Sequence, residues 1–272
     1  MSSKRIPCNI SVQPWFEDHC IGGRICLPAV ETMLFLAAQC ASIHPETDIR
    51  IMEDVCFGKF LEIPPTAARM ETLVEYSANT ASRMQVKLLS HIRLKAMARI
   101  KEHGEIFFPA GTIDNRSLQN IDPTPPTNTT AEISAAQLYD EIVPLGSRYH
   151  TLQGKLLLTK DEAWGKLKAP EISFCYAVQD MIGSPFPLDG ALHAACVLGQ
   201  RLTDLVLFPV GFFRRIISRP TLPGGHYLTR VTMTAIKHRE IVFDVNIFNN
   251  EGLLYETVNG LRMRDIGQAT KR

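Results

Sequence analysis

The chain has 272 residues, 45% of them hydrophobic and 21% charged, a composition typical of packed globular proteins rather than of disordered or fibrous ones. Its 29 Lys and Arg residues balance 28 Asp and Glu residues, and the net charge of +1 gives no overall attraction for nucleic acid or for an anionic membrane surface. Seven scattered cysteines without a C-x-x-C pair argue against a disulfide framework and a zinc knuckle. The N-terminus MSSKRIPCNISVQPWFEDHC lacks the apolar core of a signal peptide, and no run approaches the roughly 20 apolar residues of a membrane span, so we expect a cytoplasmic protein.

The first segment with a chemical pattern is HCIGGRICLP, in which His19, Gly23 and Pro28 follow the spacing H-x-x-x-G-x-x-x-x-P. A histidine beside a glycine-lined approach to a helix N-terminus combines a base that titrates near neutrality with backbone N–H groups that can polarise a carbonyl. The same residues are also typical of a packed or exposed histidine, a turn glycine and a helix-starting proline. Cys20 and Cys26 flank the histidine, but no second pair of ligands is near in sequence, so a metal site is not predicted.

After Pro28, the run AVETMLFLAAQCASI predicts a helix, because Ala, Leu and Met are strong helix formers and proline is tolerated at a helix start. This helix is apolar nearly all round, so it is expected to be buried. RMETLVEYSA and RMQVKLLSHIRLKAMARI mix polar and apolar residues in the alternation of strands, and Gly104 is predicted to form a turn before EIFFPAGTI. The first half is therefore predicted to be an antiparallel sheet around a central helix.

A break in composition follows at residues 112–131, TIDNRSLQNIDPTPPTNTTA, where Pro, Asn, Thr and Asp replace apolar residues and no period survives. We interpret this segment as an extended linker. The predicted division is a first half at residues 1–113, a linker at residues 114–131 and a second half at residues 132–272. Both halves show the same order of turn-rich entry, apolar helix and strands, which indicates a duplicated architecture.

In the second half, PLDGALHAACVLGQRLTD predicts the equivalent helix, and HYLTRVTMTAI, EIVFDVNIFN and LLYETVNGLRMRDI predict three strands. Asp189 and His193 lie four residues apart and therefore on one face of this helix. The helix dipole favours the anion of Asp189, whereas an apolar pocket favours its protonated form, which can donate a proton. A helix cap at Asp189 and a core histidine at His193 are the alternative interpretation.

Together, the two patterns are similar to those of the dehydratase domains of polyketide synthases, the double-hotdog family. LYDEIVPLGSRYHTLQG resembles that family's L-x-x-x-G-x-x-Y-G-P-x-F segment with Tyr149 in place, FPVGFFRRI resembles its L-P-F-x-W-R-x-V strand, and NNEGLLYETVNGLRMR resembles its closing strand pair. The resemblance spans residues 15 to 264. His150 and Thr151 replace the Gly-Pro after the tyrosine, and FPVGFF lacks the polar-Trp step, which affects the pocket shape and the substrate.

The resemblance implies an α+β double hotdog, with two tandem antiparallel sheets each wrapped around a central helix. It also implies that His19 removes the proton beside the carbonyl of a 3-hydroxyacyl thioester, while Asp189 protonates the departing hydroxyl to leave a 2,3-enoyl thioester. The backbone N–H of Gly23 would hold the thioester oxygen, and no cofactor or metal is needed. The residues that the resemblance implies for binding or orienting the substrate are Gly23, Pro28, Tyr149 and His193.

The implied partner is an acyl carrier protein, which carries the substrate on phosphopantetheine in a polyketide or unusual fatty-acid pathway. We expect no nucleic-acid or membrane partner and either a monomer or a homodimer. Two basic stretches are candidates for docking the acidic carrier protein, namely FFRRIISR, with Arg214, Arg215 and Arg219, and HIRLKAMARIK. The alternative functions are a cyclase or an enoyl isomerase on the same fold, a non-catalytic acyl-binding module, and an unrelated two-domain binding protein.

Overall fold

The structure is a computed structural model, and it describes residues 3–78, 83–94, 97–111, 120–172, 177–203 and 205–265. None of the helices within these ranges is both long enough and apolar enough to cross a membrane.

The first half of the chain forms a series of strands around a long helix. A short 3-10 turn at Pro14–Asp18 separates its first two strands. The elements are β1 (Ser3–Ser11), β2 (Cys20–Ile21), β3 (Arg24–Ile25), α1 (Ala29–Ile43), β4 (Ile51–Phe57), β5 (Arg69–Ala78), β6 (Met84–Leu94) and β7 (Met97–Phe108). Helix α1 covers the run AVETMLFLAAQCASI, so the predicted first helix is confirmed.

The second half has the same kind of organisation, with short helical turns before its long helix. Helix α2 continues into a single π turn at Leu138–Ile142. The elements are β8 (Ala131–Ser134), α2 (Ala135–Gln137), β9 (Leu152–Leu158), β10 (Glu162–Lys168), α3 (Gln179–Ile182), α4 (Phe186–Thr203), β11 (Leu207–Ile217), β12 (His226–Lys237), β13 (Glu240–Phe248) and β14 (Leu254–Asp265). The predicted second helix and the three predicted C-terminal strands are confirmed as α4, β12, β13 and β14.

The two predicted sheets are joined edge to edge. Within the described residues, twelve strands form one antiparallel sheet in the order β1-β5-β6-β7-β4-β11-β14-β13-β12-β10-β9-β8. First-half strands occupy one side and second-half strands the other, and the halves meet where β4 pairs with β11, from Ile51 opposite Ile216 to Cys56 opposite Gly211. The halves therefore share a continuous backbone hydrogen-bond ladder.

The two long helices form the centre of the molecule. Residues 30–37 of α1 and 186–199 of α4 are all buried, as expected for helices that are apolar nearly all round. Helix α1 packs on β6 and β7, helix α4 packs on β9, β10, β12 and β13, and the two helices touch each other. Each half of the sheet thus wraps around its own helix.

The prediction of a turn at Gly104 is wrong. Gly104 lies inside β7, where it pairs with Leu88 of β6 and with Phe57 of β4. A Cβ atom at this position would lie 2.7 Å from Cγ2 of Thr32 in α1, so glycine permits the helix to pack closely on the strand. The stretch RMQVKLLSHIRLKAMARI contains β6 and the start of β7, and the two residues between these strands lie outside the described ranges.

Part of the predicted linker runs along the surface of the second half. Residues 112–119 lie outside the described part of the chain, and strand β8 begins at Ala131, the last residue of the predicted linker. Between them, the N–H of Ile121 donates to the carbonyl of Gly252 at 2.8 Å, and Ile121 packs against a small apolar cluster of the second half. The predicted division of the chain at this segment stays a prediction.

Candidate active site

A cavity of about 300 Å³ lies between the two halves. Most of its lining is apolar, but it reaches His19 on the side of the first half and Asp189 and His193 of α4 on the other side. One face of α4 lines the cavity. Its residues there recur every three or four positions and include Asp189, His193, Cys196 and Gln200. An apolar cavity with a few convergent polar groups is the usual form of a small-molecule site.

His19 follows the 3-10 turn directly and precedes strand β2. Its Nδ1 atom lies 2.9 Å from the carbonyl oxygen of Cys26. Because a carbonyl oxygen can only accept a hydrogen bond, Nδ1 carries the hydrogen and donates it, and Nε2 keeps its lone pair. The fold of this loop therefore selects the tautomer of His19 whose Nε2 can accept a proton.

The surroundings of His19 keep it uncharged. Burial lowers the pKa of His19 below its ordinary value of 6.5, and Asp189, in its ionised form, opposes this effect only in part. The imidazole is therefore neutral at neutral pH, which is the state that a general base requires.

Asp189 and His193 form a close pair on α4. Nε2 of His193 lies 3.0 Å from Oδ2 of Asp189, and both side chains are buried. Gly190 lets a neighbouring segment approach the helix here, since a Cβ atom on Gly190 would lie 2.1 Å from Oγ1 of Thr151. Helix α4 thus packs closely on the segment around Thr151, while Oδ2 of Asp189 has no fully formed hydrogen bond among the described residues.

Tyr149 lies behind the cavity rather than on its wall. Its ring contacts the rings of His19 and Phe186, with centroids 5.4 Å apart in each case. Burial raises the pKa of the Tyr149 hydroxyl well above its ordinary value, so the phenol stays protonated. Among the described residues, its hydroxyl oxygen has no hydrogen-bond partner. Tyr149 therefore supports the ring of His19 by packing.

A polar clasp joins the two halves beside these rings. The carboxylate of Asp18 accepts a hydrogen bond from the backbone N–H of Arg148 at 2.8 Å, and the carbonyl of Asp18 accepts one from Gly146 at 2.7 Å. A Cβ atom on Gly146 would lie only 2.4 Å from Cγ of Asp18, which explains the glycine. Since Asp18 precedes His19 and Arg148 precedes Tyr149, the clasp brings the two rings into contact.

The structure places Gly23 and Pro28 away from the cavity wall. Gly22 and Gly23, with φ values of 58° and 78°, form the tip of the β2–β3 hairpin, a turn that requires φ > 0 at both positions. Gly23 is exposed, and Gly22 rather than Gly23 lines the cavity. Pro28 is buried at the N-cap position of α1, with ψ at 149°, where it turns the chain into the helix. The substrate contacts implied for these two residues stay predictions.

Sequence reasoning missed a second buried acid that senses Asp189. Glu31 of α1 is 0% exposed, and its Oε1 accepts a hydrogen bond from Nε1 of Trp15 at 2.9 Å. Burial raises the pKa of Glu31 to about 7, the Trp15 hydrogen bond opposes this shift, and Asp189, in its ionised form, adds to it. The signal was present in the sequence, because Glu31 is the only charged residue in an otherwise apolar predicted helix.

The wild type is expected to lose stability as the pH rises from about 4.5 to about 7, and Glu31→Gln is expected to abolish that loss. The folded protein keeps a proton on Glu31 up to about pH 7, whereas the unfolded chain releases it near the ordinary pKa of 4.5. The free energy of unfolding should therefore fall by about 3 kcal/mol over this interval in the wild type. Gln keeps an acceptor for Trp15 but cannot ionise. Urea unfolding at several pH values measures the effect, and equal pH dependence in both proteins would contradict it.

The structure removes Arg215 from the candidate docking stretch FFRRIISR. Its guanidinium forms a two-pronged ion pair with Glu256, at 2.7 and 3.1 Å, and both side chains are 2% exposed. Arg214 lies 3.5 Å from Glu53, and Arg219 is exposed. The other basic stretch ends at Lys101, whose Nζ donates to the carbonyl of Phe60 at 3.2 Å, and Phe60 lines the cavity. Among the described residues of this stretch, Lys101 therefore lies beside the cavity wall.

Comparisons with known proteins agree with this architecture. A family model described as "Polyketide synthase dehydratase N-terminal domain" matches residues 118–272. The chain is similar to the dehydratase domain from the CurF module of Curacin polyketide synthase, with 18% identity, a TM-score of 0.79, and 96% of this chain and 93% of that chain covered. No curated protein matches the chain.

Two further solved structures are similar over nearly their whole length. One is a trans-AT polyketide synthase dehydratase domain from Brevibacillus brevis, with 16% identity, a TM-score of 0.74, and 97% of this chain and 94% of that chain covered. The other is the dehydratase domain of RzxB from Pseudomonas fluorescens, with 14% identity, a TM-score of 0.73, and 96% and 94% covered. These likenesses confirm the double-hotdog fold.

Proposed function

Because the chain belongs to the polyketide synthase dehydratase family, we propose that it removes water from a 3-hydroxyacyl thioester and releases a 2,3-enoyl thioester. The observation that carries this proposal is the cavity between the halves, which His19 lines from one side and Asp189 from the other. Elimination of water needs one group that accepts a proton and another that donates one at the same pH, and a site assembled from two halves can offer both.

In the proposed reaction, His19 acts as the base and Asp189 as the acid. Nε2 of His19 takes the proton from C2, the electrons of that C–H bond form the C2–C3 double bond, and the C3–O bond breaks. Asp189 gives its proton to the departing oxygen, which leaves as water. The tautomer of His19, fixed by the carbonyl of Cys26, supports the role of base. The proton gained by His19 then returns through solvent to Asp189.

The start of α1 supports a binding site for the thioester oxygen. Ala29, the first residue of the helix, lines the cavity, and the first N–H groups of a helix have no intrahelical acceptors; the N–H of Thr32, which also lines the cavity, already donates to the carbonyl of Pro28 at 3.0 Å. N–H groups of this kind stabilise negative charge on a carbonyl oxygen, by about 3 kcal/mol for one well-placed donor. Gly22, at the hairpin tip, lines the same cavity. The apolar lining beyond these groups suits an acyl chain without charge.

The test is direct incubation with a short 3-hydroxyacyl thioester, both on a carrier protein and on a small thiol mimic. We expect a product lighter by one water, and we expect the reverse hydration when the 2,3-enoyl thioester is supplied. An isomerase would leave the mass unchanged, and a cyclase would act only on a poly-keto chain. Failure to interconvert the two thioesters in either direction would overturn the proposal.

A carrier-protein substrate should be sensitive to charge at the cavity mouth. Lys59 is exposed beside Phe60 and lines the cavity, with Lys101 close by. If an acidic carrier protein docks there, Lys59→Glu should raise KM for the carrier-bound thioester by about fivefold more than KM for the small thiol mimic. The difference should shrink as salt is added. Equal changes in both KM values would place the carrier protein elsewhere.

A further inference from the structure

The pair formed by Asp189 and His193 continues into a second buried contact. On the side of the ring opposite Asp189, Nδ1 of His193 lies 3.4 Å from the hydroxyl oxygen of Tyr139, in the π turn after α2. The two rings meet edge to face, with centroids 5.7 Å apart. Nδ1 of His193 is thus within hydrogen-bond distance of a phenol, while Nε2 lies 3.0 Å from Oδ2 of Asp189, a buried oxygen that no described group satisfies with a well-aligned hydrogen bond.

The hydroxyl of Tyr139 is held in one orientation. Its oxygen accepts a hydrogen bond from the backbone N–H of Leu152 at 3.0 Å, so its own hydrogen must point to an acceptor. Nδ1 of His193 is an acceptor in range. Burial raises the pKa of Tyr139 above its ordinary value, so the phenol keeps its hydrogen. Tyr139 therefore acts as the donor toward His193.

The plane of the Tyr139 ring is also fixed. The ring of His150 stacks on it, with centroids 4.0 Å apart and planes 9° from parallel. Nε2 of His150 is itself 2.8 Å from the carbonyl of Leu145, to which it donates. His150 is one of the two residues that depart from the family's Gly-Pro pattern. This chain thus supports Tyr139 with a side chain that the family pattern lacks at that position.

We propose that Tyr139 is a positioning residue that fixes the tautomer of His193 and so directs the transferable proton of Asp189 to Oδ1. If Tyr139 donates to Nδ1, the hydrogen of His193 is on Nε2, and Nε2 can donate only to an acceptor. Oδ2 of Asp189, 3.0 Å from Nε2 and not satisfied by another described group, is then the acceptor that this hydrogen faces, and the acid proton resides on the other oxygen. In the opposite tautomer, Nε2 would accept the proton of Asp189 and withdraw it from the substrate. This inference rests on the proposed role of Asp189 as the acid.

The first measurement is independent of activity. In the full chain labelled with ¹⁵N-histidine, at a pH where imidazoles are neutral, NMR correlation spectra distinguish a nitrogen that carries hydrogen from one that does not. We expect His193, assigned by comparison with His193→Gln, to carry its hydrogen on Nε2 in the wild type. A hydrogen on Nδ1, or on both nitrogens, would overturn the proposal, whether or not the protein is a dehydratase.

The second measurement uses Tyr139→Phe, which removes the hydroxyl and keeps the ring that stacks on His150. We expect the Nε2–H tautomer to lose its dominance and kcat to fall about tenfold, with little change in KM. Tyr227→Phe is the matched control, because the Tyr227 hydroxyl also accepts a backbone N–H, from Leu222 at 2.7 Å, and lies outside the site. An unchanged kcat and tautomer in Tyr139→Phe would overturn the proposal. If that variant does not fold, the wild-type spectrum alone decides.

Discussion

Asp189→Asn is expected to lower kcat for a 3-hydroxyacyl thioester by about 10²–10⁴-fold, because the amide cannot supply the proton that the hydroxyl needs to leave as water. Asparagine has nearly the same shape and keeps an oxygen within reach of Nε2 of His193, so the fold should survive. The loss should nearly disappear with a 3-acetoxyacyl thioester, since acetate leaves without being protonated. Single-turnover kinetics on the two substrates measures this rescue.

His19→Ala is the matched comparison. Its loss should be of the same size, about 10²–10⁴-fold, but it should persist with the acetoxy substrate, because the proton on C2 must still be removed. Thermal unfolding of each variant controls for loss of fold. If both variants are rescued, or neither is, then the proposed division into a base at His19 and an acid at Asp189 is wrong.

Glu256→Gln is expected to lower the free energy of unfolding by about 3–5 kcal/mol, a large part of the stability of a typical domain. It would leave Arg215 charged, 2% exposed and without its carboxylate, and a guanidinium cannot escape this by losing a proton. The nearby groups offer little compensation, since Nη1 of Arg215 contacts the sulfur atoms of Met33 and Met52 at 3.8 Å. Denaturant unfolding measures the loss.

Two further variants show whether burial is the cause. Replacing both partners, as Arg215→Met with Glu256→Leu, should restore most of the stability, because no buried charge is left alone. Removing the more exposed pair of Arg264 and Glu240, with side chains 54% and 18% exposed, should cost about 0–1 kcal/mol. A loss at Glu256 no greater than the loss at Glu240 would contradict the argument.

An element of the fold can be predicted from the sequence where its local pattern agrees with its packing. Helices α1 and α4 are built from strong helix formers in long apolar runs, and the strands from His226 to Asp265 alternate between turns, so both could be predicted. The place of Gly104 inside a strand could not be predicted, because its role depends on Thr32 of a distant helix that packs on the strand. A glycine in a strand and a glycine in a turn look alike until that contact is known.

Arg215 was missed for a different reason. The charge of FFRRIISR does not show which of its arginines meets solvent, because adjacent residues of a strand point to opposite faces. Strand alternation already places Arg214 and Arg215 on different sides, and only one of them can meet solvent. The meeting of His19 with Asp189 could be predicted only through the family resemblance, since the two residues lie far apart in the chain. Their roles stay predictions until the variants are measured.

The pairing of β4 with β11 sets a condition on how the protein is synthesised. Strand β4 ends at Phe57, and its partner begins at Leu207, about 150 residues later. At roughly 5–20 residues per second, a ribosome needs on the order of 10–30 s to deliver that partner. During this time the nascent first half presents an unpaired strand edge that carries Met52 and Val55, a template for pairing between neighbouring chains. Slow translation, or many ribosomes close together on one messenger RNA, should therefore promote aggregation. A chaperone that shields strand edges should raise the yield of folded protein.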